Sequence, residues 1–153
     1  MREKQQVHPK LNPTSGDSLD SSQPKTWVIA TIYLALALTT LMVYWPLSQF
    51  DFVNWDDGAF VHANPNVASG LSVDNFQWSF GIHGPGQWHP LAFWVHQLNC
   101  QVFGLEPGAH HMFSVAVHVV VALVLLTVLW RISGAFWPSA LVAALHGLSL
   151  IHI

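Results

Sequence analysis

The sequence predicts an all-α integral membrane protein, and three observations predict it. Of the 153 residues, 52% are hydrophobic and only 8% charged, against about 45–50% and about 25% in an average soluble domain. Two long stretches carry no Asp, Glu, Lys or Arg, and the cations lie only before the first and after the second. So little charge leaves a soluble globule without the polar surface that keeps it dispersed, which argues against a soluble enzyme. The net charge of -3 with five Lys and Arg provides no electrostatic footprint for DNA or RNA. The single Cys100 cannot form an internal disulfide or a cysteine metal site.

Residues 1–26 are rich in Lys, Gln, Ser, Pro and Asp, with almost nothing apolar to bury, and read as a disordered cytoplasmic tail. Residues 27–153 read as the amino-terminal part of a membrane domain. From Trp27 to Trp45 run nineteen uncharged residues, which at about 1.5 Å each approach the roughly 30 Å hydrocarbon core. Trp27, Tyr44 and Trp45 sit at the ends of this first span, where amphipathic rings favour the headgroup layer, and Pro46 stops the helix. The polar lead is too long, and the apolar run too extended, for a cleaved signal peptide. A second span is expected over His110–Trp130, closed by Arg131, and a third over 136–153 after the turn Arg131–Ala135.

Arg2, Lys4, Lys10 and Lys25 precede the first span and Arg131 follows the second, so the positive-inside rule puts tail and turn in the cytoplasm. Residues 46–109 then form a large extracytoplasmic loop, which holds five of the eight acidic residues: Asp51, Asp56, Asp57, Asp74 and Glu106. A membrane location with more than one crossing is expected. Asp57-Gly58 and Asn64-Pro65-Asn66 are turn signals, and irregular backbone is expected around them. Val73–Phe80 offers a short helix, with Phe76 and Phe80 one turn apart and Asp74 near its start. Over Leu91–Leu105 the apolar residues Leu91, Trp94, Val95, Leu98, Val102 and Leu105 recur at helical spacing opposite His96, Gln97 and Gln101. Such a helix lies in the plane of the interface.

The chemistry, if any, belongs to the loop. Asp56 and Asp57 follow the first span by about ten residues and so stand just above the bilayer, at the level of a lipid headgroup. Adjacent carboxylates in a partly dry site repel, which leaves one ionised and able to accept a proton; a solvated Asp-Asp-Gly turn is the bland alternative. A divalent metal on the pair would need further ligands that the sequence does not identify. Trp88-His89-Pro90 follows Gly84-Pro85-Gly86 and puts His89 at a helix start, where backbone N–H groups collect an anion such as phosphate. His110 and His111 open the second span, and His118 lies two turns on from His111 along one face. A haem would require facing histidines on a second helix, so hydrogen bonding across the bundle is the stronger reading of these rings. Trp55, Trp78, Trp88 and Trp94 read as an interfacial belt and, secondarily, as platforms for a sugar ring.

Three stretches, NWDDGAFVHANPNVASGLSVDNFQWSF, QWHPLAFWVHQLNCQVFGLEPGAHH and WRISGAFWPSALVAALHGL, together resemble the amino-terminal membrane region of bacterial glycosyltransferase-like proteins that carry tetratricopeptide repeats. These are similar to the transmembrane-and-tetratricopeptide O-mannosyltransferases and, more distantly, to the protein O-mannosyltransferases of the GT-C fold. The resemblance covers roughly Phe50–Leu148 and implies a partial GT-C-like fold. It implies inverting transfer of a sugar from a polyprenyl-phosphate donor to a Ser or Thr hydroxyl of an acceptor protein, with no cofactor. The family's carboxylate at the reacting sugar falls on Asp56 and Asp57, while Trp88, His89, His110 and His111 are the candidates for holding the donor phosphate or substrate. The animal relatives tend to carry Arg where His89 stands. The loop has no Lys or Arg to meet the departing phosphate, so the cation, further spans and repeat region are expected in additional sequence, and the 153 residues alone should show no turnover. The alternative parent is a non-enzymatic membrane anchor or scaffold for the repeats.

Overall fold

The computed structural model describes residues 24–53, 55–83 and 88–149. Most of the expected tail and the Gly84-Pro85-Gly86 stretch lie outside the described residues. The described chain is helical, with no sheet among those residues. Helix α1 (Thr26–Tyr44) continues into a 3-10 turn over Trp45–Gln49. A π turn follows over Gly58–His62, then α2 (Pro65–Ala68), α3 (Val73–Ser79) and α4 (Pro90–Phe103). Helices α5 (Pro107–Ser133) and α6 (Phe136–Gly147) complete the order.

Two helical stretches, Thr26–Gln49 and Pro107–Ser133, are long and apolar enough to cross a membrane. Their most apolar windows are only 11% and 28% buried, whereas the core helix of a soluble protein hides most of its surface. The buried contacts that exist tie α1, α5 and α6 together through Leu36, Ala122, Leu126, Phe136 and Ala143. Polar side chains add to the packing: Tyr33 and Thr127 share a hydrogen bond of 2.7 Å between α1 and α5, the kind of link that holds helices in lipid. At the end of α5, Gly134 turns the chain with φ +68 and its N–H bonds the Trp130 carbonyl at 2.9 Å. The expected third span is shorter within the described residues: α6 has twelve residues, about 18 Å of helix.

The segment between the long helices has its own core, with Val61, Val67, Phe93 and Cys100 buried and Phe52, Phe60 and Trp78 against them. The irregular backbone expected around Asp57-Gly58 and Asn64-Pro65 is instead mostly helical. The residues that mark turns also start helices: the Asn64 side chain caps α2 by accepting from Asn66 N–H, and Pro65 takes the first helical position. Helix α3 forms over almost the expected range, because Ser72 caps it and Phe76 packs edge-on against Phe80 at 5.1 Å. Trp78 is not part of a surface belt; it stacks on His83 at 3.8 Å and meets Phe93 within the core.

Helix α4 splits its faces as the periodicity requires. Leu91, Trp94, Val95, Leu98 and Val102, with Leu105 just beyond the helix end, are 40–72% exposed, while Phe93, Gln97, Asn99 and Cys100 are buried. Gln97 crosses to α3, donating to the Asn75 carbonyl at 3.1 Å and the Ser79 hydroxyl at 2.9 Å. The apolar stripe is outward because the face carrying Phe93, Gln97 and Cys100 is taken up by packing on α3 and on Val61 and Val67.

Candidate functional site

Asp56 and Asp57 stand immediately before the π turn, where the helix dipole favours carboxylates. Their environments differ. Asp57 is half-buried and its Oδ2 accepts from Val53 N–H at 2.7 Å, closing a tight loop, while Asp56 is exposed. Of the two, Asp56 is the carboxylate that an incoming group reaches, and Asp57 fixes the backbone that carries it.

Residues 51–53 bring Phe52 among three histidines. Its centroid lies 5.5 Å from His62 in a stacked geometry, 5.4 Å from His110 edge-on and 6.3 Å from His111. His111 Nε2 donates to the Asp51 carbonyl at 3.4 Å. His110 is buried, and its Nε2 donates to the Gly104 carbonyl at 2.8 Å, tying the end of α4 to the start of α5. A ring that donates through Nε2 is left with Nδ1 as its acceptor in the neutral form, and His110 Nδ1 is buried without a partner among the described residues. His96 Nδ1 is in the same condition.

His96 comes from the half-buried flank of α4 and interacts with both His110 and Asp57. Burial holds its pKa below the usual 6.5, the neighbouring His110 pushes it the same way, and the Asp57 carboxylate opposes them. His96 is consequently a neutral base near pH 7. Since the unfolded chain takes up this proton more readily than the folded one, the linked stability is complete above pH 6.5 and is lost as pH falls from there towards the lower folded value. Unfolding in detergent, scanned from pH 7.5 to 5, should show a steeper acid loss for the wild type than for His96→Gln; parallel curves would refute the assignment.

Trp88 and His89 do not join this group. They precede α4, whose fourteen residues extend for about 21 Å, so they stand at the opposite end from Gly104 and His110. Trp88 is exposed, with its indole N–H on the Phe80 carbonyl at 3.0 Å. His89 is also exposed and gives its carbonyl to Phe93 N–H at 3.1 Å, the first bond of the helix. The six candidates thus fall into two places: His110 and His111 at Phe52, with Asp57 bonded to the next residue, Val53, and Asp56 exposed beside it, and Trp88 with His89 beyond α4.

Two histidines of the group were not singled out as site residues in the sequence. His96 showed itself as a polar residue opposite the apolar stripe; His62 had no signal, because its approach to Phe52 depends on the π turn. Among the described residues, no three His, Cys, Asp or Glu side chains are placed to hold a metal ion. The arrangement offers an exposed carboxylate as proton acceptor and imidazoles as hydrogen-bonding groups, and the sequence has no Lys or Arg between Lys25 and Arg131. No protein-family profile, curated protein sequence or solved structure matches this chain.

Proposed function

We propose that the chain is the amino-terminal part of a membrane glycosyltransferase that moves a sugar from a polyprenyl-phosphate donor to a protein hydroxyl. In this reading α1 and α5 cross the bilayer, residues 46–109 are extracytoplasmic, and Asp56 is the general base. The observation that carries it is the division of labour in the acidic pair: the Asp57 carboxylate is tied to Val53 N–H, and the exposed Asp56 beside it is free to take a proton. The acceptor hydroxyl gives its proton to Asp56 as its oxygen bonds the anomeric carbon from the face opposite the phosphate. The carbon–oxygen bond to the donor breaks, and the lipid phosphate leaves with the electron pair.

The assay is transfer of radiolabelled sugar from a polyprenyl phosphate to a Ser- and Thr-bearing peptide, in vesicles containing the complete parent protein. Unchanged transfer in both Asp56→Asn and Asp57→Asn would remove the acidic pair from the chemistry. A second reading, a non-enzymatic anchor for a repeat domain, is favoured by one feature: the absence of Lys and Arg from 26 to 130 gives a departing phosphate no cation from this segment. Wild-type vesicles with no transfer to any offered peptide would favour the anchor.

Orientation has its own test. In a Cys100→Ala background, a membrane-impermeant maleimide applied to intact cells should modify a cysteine at Ala59 and reach one at Ile132, itself 81% exposed, only after permeabilisation. The reverse pattern would put the aspartates on the wrong side of the membrane.

A further inference from the structure

A groove of about 370 Å³ runs between α4, α5 and α6, within the range of about 300–1,000 Å³ of small-molecule sites. Its apolar wall is made by Val95 of α4 with Phe113, Val117 and Val121 of α5, and its polar side chains include Ser114 and His118. Val95, Val117 and Val121 are each 42–48% exposed, so the groove opens sideways from the bundle. With Arg131 at the cytoplasmic edge, a hydrocarbon core of about 30 Å takes up about twenty residues of α5 and ends near residue 111. Phe113–Val121 then lie in the outer half of the hydrocarbon, and Val95 brings the apolar stripe of α4 down to that level.

A histidine at such a depth calls for a chemical reason. His118 is 6% exposed and its Nε2 donates to the Gly147 carbonyl at 3.2 Å. The neutral ring therefore keeps Nδ1 as an acceptor, and no described residue donates to it. Ser114 already donates to the His110 carbonyl at 3.2 Å, which leaves its oxygen as a second acceptor. His146, 5.2 Å from His118 between ring centres, completes the lining. These two groups ask for a hydrogen-bond donor at the end of an apolar body. A phosphate or other anion is excluded by the same features, since it would enter hydrocarbon facing acceptors, in a stretch of chain without Lys or Arg.

We propose that this groove binds an uncharged lipid alcohol from the outer leaflet, its chain along Val95, Val117 and Val121 and its hydroxyl donating to His118 Nδ1 or Ser114 Oγ. The site requires membrane insertion but not sugar transfer, so it stands or falls separately from the catalytic reading. The test uses the full chain in lipid nanodiscs, photolabelled with hexadecanol carrying a mid-chain diazirine. Labels should map to Val95 and Phe113–Val121. Unlabelled hexadecanol should compete about tenfold better than its methyl ether, which lacks the one donor.

Val117→Trp, which fills the groove and leaves the polar contacts in place, should abolish labelling, and His118→Leu should erase the preference for alcohol over ether. Since His118→Leu also removes the bond to Gly147, the Val117 variant keeps the test independent of that loss. Equal competition by alcohol and ether, better competition by hexadecyl phosphate, or labelling indifferent to Val117→Trp would each overturn the proposal.

Discussion

Asp56→Asn in the complete parent protein is expected to lower sugar transfer by about 10²–10⁴-fold, the range that a positioned general base contributes. The amide keeps the size of the side chain and removes only its capacity to take a proton. Since Asp56 is exposed and makes no hydrogen bond among the described residues, the variant should unfold at the wild-type midpoint and bind the donor normally. The loss should appear in kcat, and the acid limb of the pH–rate profile should vanish. Asp57→Asn provides the contrast. Its Oδ2 holds Val53 N–H at 2.7 Å, so this variant should alter the loop as well, changing KM and the unfolding midpoint along with kcat. Should Asp56→Asn retain wild-type kcat while Asp57→Asn loses it, the assignments of base and positioning residue would be reversed.

Gly108→Val is expected to destabilise the fold by at least about 1–3 kcal/mol, the usual cost of overpacking. A Cβ at Gly108 would run into the Ser48 carbonyl oxygen and come within 3.0 Å of its carbon. Both are backbone atoms of the 3-10 turn, so neither can swing aside as a side-chain tip would. The clash also bears on the candidate site: separating Ser48 from α5 pulls Asp51 and Phe52 away from His110 and His111, whose contacts with that segment are at 5.4 and 6.3 Å between ring centres and 3.4 Å at the Asp51 carbonyl. Detergent unfolding should show a lower midpoint for Gly108→Val, whereas Gly147→Ala should be milder. Its nearest obstacle is the Thr40 hydroxyl at 3.1 Å, a side-chain atom. Equal midpoints for wild type and Gly108→Val would show that the turn is not held by this close approach.

Much of the fold was legible in the chain because it depends on local composition and period. The two long apolar helices follow from length and lack of charge, and α1 and α5 lie within a few residues of the expected bounds. The stripe Leu91 to Leu105 identified the outward face of α4, since helical spacing gathers those side chains on one side whatever packs on the other. Around Asn64 and Pro65 the reading was ambiguous: an Asn-Pro pair opens turns and helices alike, and the capping bond from Asn66 N–H decides between them.

The sequence by itself determined that this is a helical, membrane-compatible protein with its acids concentrated between two apolar helices, because hydropathy, charge and period are properties of neighbours along the chain. Only the tertiary structure decided that Asp57 is anchored while Asp56 is exposed, that His62, His110 and His111 gather around Phe52 with His96 close enough to His110 and Asp57 to interact with both, and that Trp88 and His89 stand a helix length away. The physical reason is that such meetings depend on the path of the chain between helices. A π turn, a glycine pressed on a carbonyl and a buried Gln97 fix that path, and none of these leaves a periodic signature.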